Sequence, residues 1–228
     1  MEIIFGGMLL HYNVLLWDLD GTLTDPKEGI TRSVQYALKK LDYPLCKADD
    51  LEWMIGPPLK ESFKTLFQTT DEVILNQAIS IYRERYREIG LYENIVYPGI
   101  PDLLAQLKDK GCSHLLATSK PRVFAEKILQ HFLLDSYFSV IMGSELNGQF
   151  VEKDCLIAEV LKTMPAGSRS KTVMIGDRSY DVHGARANHI DVISVGYGYG
   201  TGEELRVASP DFIVQSVAGL GKLLLNIT

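Results

Sequence analysis

Val14-Leu15-Leu16-Trp17-Asp18-Leu19-Asp20-Gly21-Thr22-Leu23-Thr24-Asp25 is the stretch whose reading decides the fold. It opens with a short apolar run, the pattern of a buried strand. The run ends in two carboxylates one residue apart. In a strand, residues i and i+2 point to the same face, so Asp18 and Asp20 are expected to face one site. Gly21 lets the backbone turn sharply away. Crowded carboxylates repel, so one must be protonated or both must meet a cation. That predicts acid/base or nucleophilic chemistry, with a metal close by. The competing reading is a polar turn that caps the next helix, where Asp and Thr are common.

Working outward, further short runs rich in β-branched residues read as buried strands: His114–Thr118, Val140–Met142, Thr172–Ile175, Val192–Val195 and Phe212–Val214. Between and after them lie amphipathic stretches that read as helices: Arg122–His131, Lys153–Lys162, Tyr180–Asn188 and Ser216–Leu225. Strands alternating with helices predict an α/β fold, a doubly wound parallel sheet of Rossmann-like type with helices on both faces. Ligands of such sheets bind outside the carboxyl ends of the strands. Asp18, Thr118 and Asp177 all fall there.

The first crossover is too long. Helix Asp102–Lys110 suffices for it, yet about seventy residues precede that helix, far more than a connecting loop holds. Ile30, Val34, Ala37, Leu38 and Leu41 share one helical face. Leu59–Phe67 and Glu72–Ile89 read as further helices, with Pro57-Pro58 a stiff start to the first of these. Tyr97-Pro98-Gly99 punctuates the end. The expectation is an all-helical cap domain, residues 25–95, inserted into a core made of residues 1–24 and 96–228 and roofing the aspartates.

The chain has 228 residues and a formal charge of −6. It suits one large domain or two modest ones. The charge gives no reason to expect nucleic acid or an acidic membrane as partner. Cys46, Cys112 and Cys155 are distant and odd in number, which predicts reduced thiols in a cytoplasmic protein rather than a disulfide frame or a zinc site. The apolar leader Met1–Leu10 lacks a basic start, carries Glu2 and is too short to span a bilayer. It reads as irregular, and Met8 is an alternative start. A monomer is the default expectation and a dimer the alternative.

Other motifs add to the site. Gly176-Asp177-Arg178-Ser179-Tyr180-Asp181 places Asp177 at a strand end and Asp181 one helical turn on. Alone, it reads as a helix cap. Joined to Asp18 and Asp20, it makes an oxygen-only ligand set, which selects Mg²⁺ over zinc. Leu116-Ala117-Thr118-Ser119-Lys120-Pro121-Arg122 offers a hydroxyl and free N–H groups at a helix start, an anion site. Thr118 and Ser119 would hold a phosphate and Arg122 would reach its oxygens or the substrate's far end; a plain helix start is the alternative. Lys153 begins a helix at the site end of the sheet, where a cation would neutralise Asp18 and phosphoryl oxygens. Most lysines are simply solvated. The five histidines are scattered, and none is assigned a role. Gly196-Tyr197-Gly198-Tyr199-Gly200 lacks the Lys-Ser/Thr of a P-loop and reads as a loop packing near the site. Arg83, Arg85 and Arg87 read as a solvated helix face.

Asp18-Leu19-Asp20-Gly21-Thr22, Thr118 after its strand, Lys153, and Gly176-Asp177 with Asp181 resemble, in this order, the haloacid dehalogenase-like hydrolase superfamily. The resemblance covers essentially the whole chain, cap included. It implies that Asp18 attacks the phosphoryl group and becomes an aspartyl phosphate. It implies that Asp20 protonates the leaving oxygen and then activates water. Thr118 would bond the phosphoryl oxygens, and Lys153 would orient Asp18. Mg²⁺ would be held by Asp18, the Asp20 main-chain carbonyl and Asp177, with Asp181 helping directly or through water. Lys153 is followed by Asp154 where the family commonly has proline, which makes Lys120 a rival for part of its role.

Asp20 argues against a true dehalogenase. The cap, Ile55-Gly56-Pro57-Pro58-Leu59, Thr118-Ser119-Lys120-Pro121 and Tyr197-Gly198-Tyr199-Gly200 resemble the phosphoglycolate phosphatase group. The expected activity is Mg²⁺-dependent hydrolysis of a small phosphorylated metabolite. A 5′-nucleotidase, a pyrophosphatase, a sugar phosphomutase and a non-catalytic binding protein are the alternatives. Lys60 and Arg122 are the candidates for contacting the substrate's distal end.

Overall fold

In a computed structural model of the chain, residues 4–5, 8–9, 12–165 and 167–227 are described. Six strands form one parallel sheet: β1 (Val14–Trp17), β2 (Ser113–Pro121), β3 (Phe138–Ser144), β4 (Thr172–Gly176), β5 (Asp191–Val195) and β6 (Phe212–Val214). Their spatial order is β6-β5-β4-β1-β2-β3. β1 is central, with Trp17 in register with Ile175 on one side and Leu116 on the other.

The alternation of β1 explains its place. Leu15 and Trp17 enter one hydrophobic cluster, whereas Val14 and Leu16 enter a second on the opposite face. Both faces of a parallel sheet are covered by helices, so its strands read as continuous apolar runs. The first cluster receives Leu104 and Leu107, Ile128 and Leu129, and Leu220 and Leu224. The second receives Leu156, Ile157 and Val160 from helix Lys153–Lys162, and Val182 and Ala185 from Ser179–Ala187. Each such Leu, Ile or Val side chain, when fully buried, contributes about 1.5–3 kcal/mol.

Between β1 and β2 the chain leaves the sheet through Thr24–Asp25 and returns through Ile95–Val96. These two-residue strands pair antiparallel, Thr24 opposite Val96. Helices Lys27–Lys40, Leu59–Phe67 and Glu72–Arg85 lie between them, with a short 3₁₀ turn at Asp49–Met54. The long helix expected over Glu72–Ile89 stays α-helical only to Arg85; Tyr86–Gly90 widens into a π turn. Such widened turns often mark functional positions, and this one begins at Tyr86, which meets Lys120 at the end of β2. Gly90 is tightly placed, since a Cβ built on Gly29 would meet the Gly90 carbonyl at 2.0 Å.

The leader is not wholly irregular: Ile4–Phe5 pairs antiparallel with Met8–Leu9. Residues 1–3, 6–7 and 10–11, and with them the start assigned to Met1, lie outside the described residues. No disulfide joins Cys46, Cys112 or Cys155. Among the described residues no helix is long and apolar enough to cross a membrane.

One buried histidine makes the core sensitive to acid. Trp17 Nε1 donates to His114 Nδ1 at 3.0 Å, so the ring proton sits on Nε2, which faces Leu104 O at 3.1 Å. Burial lowers the His114 pKa from 6.5 to about 4. Between those values the unfolded chain holds the proton and the folded chain does not. Stability is therefore complete above about pH 6.5 and falls as pH drops toward 4, by up to about 3 kcal/mol. Urea melts from pH 7 to 4.5 should show this slope, and His114→Gln should flatten it. An equal slope in both proteins would place its origin elsewhere.

Candidate functional site

The site grows from the end of β1. The strand stops at Trp17, and Asp18 N–H still donates to Ile175 O at 2.9 Å. Strand parity thus governs Asp18 alone, which continues the Leu16 side of the sheet. Helix Lys153–Lys162 packs on that side. Its first residue delivers Lys153 Nζ to Asp18 Oδ1 at 3.0 Å.

Asp20 obeys a different rule. Leu19 O accepts from the N–H groups of Thr22, Leu23 and Thr24, and this turn aims Asp20 elsewhere. Period two therefore does not place Asp20, although the two carboxylates remain near enough for the charge of Asp18 to act on it. Asp20 Oδ2 meets Lys120 Nζ at 2.8 Å, and Oδ1 is buried without a hydrogen-bond partner. Lys120 Nζ also donates to the hydroxyl of Tyr86. Burial raises the Asp20 pKa, Lys120 opposes it, and the charge of Asp18 adds to the rise. The two aspartates have separate cations and different surroundings.

Gly21 is required at the turn. Its φ is +78°, and a Cβ there would fall 2.1 Å from Asp177 Oδ2. Asp177 is fully buried at the end of β4. Its Oδ2 accepts from Tyr199 N–H at 2.7 Å, while Oδ1 has no partner. The glycine-rich loop packs directly on it: a Cβ on Gly198 would lie 2.4 Å from Asp177 Cβ. Asp181 sits in the first turn of Ser179–Ala187 and its Oδ2 takes the Arg178 N–H at 3.1 Å, in capping-box fashion. Its Oδ1 faces Lys153 Nζ at 2.7 Å.

Asp18, Asp177 and Asp181 offer oxygen atoms that all lie within 4.8 Å of one another. Burial pushes Asp177 well above the usual carboxylate range, and Asp18 and Asp181 push it further. Asp181 is raised to about 6 by burial, against the pull of Lys153. Burial works against the charge of Lys153, yet Asp18 and Asp181 hold its pKa above the ordinary lysine value. Two of the three carboxylates, Asp18 and Asp181, thus share one ammonium. Oxygen donors without nitrogen or sulfur, and a buried Asp177 Oδ1 without a partner, fit a hard divalent cation such as Mg²⁺.

Thr118 lies two residues past Leu116, the register partner of Trp17. Its Oγ1 accepts from Lys120 N–H at 3.3 Å, which leaves the hydroxyl proton available to an anion. Ser119 lines a cleft of about 150 Å³ that also touches Asp20, Lys60, Lys120 and Tyr86. Lys60 is held by Glu72 at 2.7 Å. Arg122 is not brought to this cleft. Its guanidinium meets Glu126 at 2.9 Å and Glu145 at 3.0 Å, and Glu145 itself lines the cleft.

Lys120, the rival for part of the role of Lys153, is buried and paired to Asp20, whereas Lys153 keeps Asp18. One correction concerns cations. Arg83 and Arg85 are not a solvated face. Arg85 makes a two-point ion pair with Glu93, and Arg83 lines the cleft. Only Arg87 is exposed as expected.

Residues 15–195 match the haloacid dehalogenase-like hydrolase family. A 5′-nucleotidase of Pseudomonas aeruginosa is 45% identical over 215 residues, 94% of this chain and 96% of the relative. The tyrosine-protein kinase PtkA of Mycobacterium tuberculosis is 38% identical over 82% of this chain and 63% of its own length. A phosphoglycolate phosphatase of Colwellia psychrerythraea is 26% identical over 90% of this chain and 93% of its own. The crystal structure of a predicted phosphatase from Clostridium acetobutylicum covers 94% of this chain and 99% of its own, with 44% identity and a TM-score of 0.89.

Proposed function

The chain belongs to the haloacid dehalogenase-like hydrolases and is a phosphatase of that family, and from this premise we propose that it hydrolyses a nucleoside 5′-monophosphate through an aspartyl phosphate on Asp18. The observation that carries the chemistry is the inequivalence of the two aspartates. Asp18 is fixed by Lys153 and belongs to the oxygen cluster. Asp20 is buried against Lys120 and lines the cleft.

Asp18 forms the new P–O bond as the bond to the leaving oxygen breaks. Asp20 gives that oxygen its proton. It then takes a proton from the water that attacks the phosphoenzyme, restoring Asp18 and releasing phosphate. A covalent intermediate splits one difficult step into two. Thr118 and the Ser119 N–H bond the phosphoryl oxygens, and Lys153 balances their charge. Asp18, Asp177 and the Asp20 main-chain carbonyl would hold Mg²⁺. Bound there, the cation supplies positive charge that relieves repulsion between carboxylate and phosphoryl oxygens. Asp181, whose oxygens are engaged by Lys153 and Arg178, supports the site by holding Lys153 in place. Residues 25–95 act as the cap, and Lys60 borders the substrate's outer part.

The nucleotide is favoured over phosphoglycolate because the relative named 5′-nucleotidase is far more similar than the one named phosphoglycolate phosphatase. A phosphate-release screen tests this with nucleoside monophosphates, phosphoglycolate, sugar phosphates and pyrophosphate. Nucleotides are expected to lead by at least about tenfold in kcat/KM, and EDTA to abolish release until Mg²⁺ is restored. A phosphoglycolate or pyrophosphate preference would overturn the substrate. Full activity in chelator would overturn the metal.

A further inference from the structure

The cleft wall carries charges that nearly all cancel. Lys60 meets Glu72, Lys120 meets Asp20, and Glu145 meets Arg122. Arg83 is the exception. Among the described residues no carboxylate pairs with it; Arg87, Arg169 and Arg206 also lack one, but they are exposed and do not line the cleft. Its Nη1 donates only to Leu146 O, at 3.3 Å across the cleft. Its Nε is buried with no partner at all. Burial bears on its charge unfavourably, and Arg87 adds to that. An unmet buried donor on a cation is costly to keep. Arg83 lines the cleft, so a ligand there, met by a turn of the side chain, would complete it.

The geometry narrows the ligand. Nε shares one edge of the guanidinium with Nη2, while Nη1 is occupied by Leu146. That edge is a two-donor fork, suited to a planar pair of acceptors. Arg83 stands three residues before Tyr86, about one helical turn, and Tyr86 reaches Lys120 beside Asp20. Tyr82 and Tyr86 stack at 5.2 Å between centroids, and Phe124 meets Tyr86 edge-on. All three border the same cleft. A flat group fits against such rings.

We propose that Arg83 is a specificity-determining residue that receives a two-acceptor edge at the end of the substrate remote from its phosphate. A carboxylate offers that edge, and so do O6 and N7 of a 6-oxopurine. The proposal rests on the phosphatase reading and adds the group that selects the substrate. It explains why a cap helix spends an unpaired cation on the cleft.

The test compares wild type, Arg83→Met and Arg83→Lys on GMP, AMP, phosphoglycolate and phenyl phosphate. Phenyl phosphate lacks the edge, so wild-type release from it decides the phosphatase reading separately. Arg83→Met is expected to narrow the kcat/KM advantage of the preferred edge-bearing substrate over phenyl phosphate by at least about tenfold. The change should fall on KM, with kcat held within about twofold. Loss of a GMP-over-AMP preference identifies the purine edge; loss confined to phosphoglycolate identifies the carboxylate. Arg83→Lys keeps the charge without the fork and should show the same narrowing. It carries the test alone if Arg83→Met does not fold. Ratios preserved for both GMP and phosphoglycolate overturn the proposal.

Discussion

Asp18→Asn is expected to release phosphate from phenyl phosphate at a rate lower by about four orders of magnitude or more, while remaining folded. An amide has nearly the shape of the carboxylate but cannot attack phosphorus or carry the phosphoryl group. Deleting the nucleophile of a covalent mechanism typically costs about 10⁴–10⁶ in turnover, because its partners act as a unit with it. The fold has reason to tolerate the change. Asp18 is one of three buried carboxylates whose oxygens lie within 4.8 Å of one another, and neutralising one relieves repulsion. Single-turnover phosphate release and a thermal melt, run together, separate the two effects. Activity within tenfold of wild type would remove Asp18 as nucleophile.

Lys153→Met should lose both stability and rate. Lys153 Nζ stands 3.0 Å from Asp18 and 2.7 Å from Asp181, deep in the protein. Removing one partner of a buried ion pair costs about 3–5 kcal/mol, because the other charge stays buried. Two carboxylates would be abandoned here, with Asp177 beside them. In chelator, the variant's unfolding free energy in urea should fall by that amount. Mg²⁺ should recover part of it, since a cation bound by the folded state alone stabilises it. Turnover should drop by about 10²–10³, the usual cost of losing one group that stabilises transition-state charge. Identical melts in chelator would show that another group neutralises the cluster.

The sheet was legible because its inner strands are buried on both faces, so apolar runs such as Val14–Trp17 and Thr172–Ile175 stand out against their surroundings. The oxygen cluster was legible because strand ends impose position: Asp177 follows β4 as Asp18 follows β1, and Asp181 is set by helical spacing. Asp20 was harder. Its direction depends on a turn closed on Leu19 O, which no periodicity encodes. Cap residues were hardest. Whether an arginine on Glu72–Arg85 meets water, Glu93 or the cleft depends on how the helix is rotated against the core. Alternating Arg83 and Arg85 give no such angle. The widening at Tyr86–Gly90 was hidden for a related reason. It arises where Gly29 and Gly90 let two backbones touch, a contact between residues far apart in sequence.

The antiparallel pairing of Thr24–Asp25 with Ile95–Val96 has a consequence for how such a chain diversifies. The outgoing and returning segments sit side by side, held by a ladder of only two residue pairs. Everything between them therefore leaves and re-enters the core at one place, like a handle with both ends fixed at one point. Its length and sequence can drift without disturbing the register of β1 against its neighbours, because loop length adds little to the cost of closing a loop. Asp18, Thr118, Lys153 and Asp177 all lie outside that handle, whereas Lys60 and Arg83 lie within it. A reaction can thus be kept in one part of the chain while its range of customers is rewritten in another.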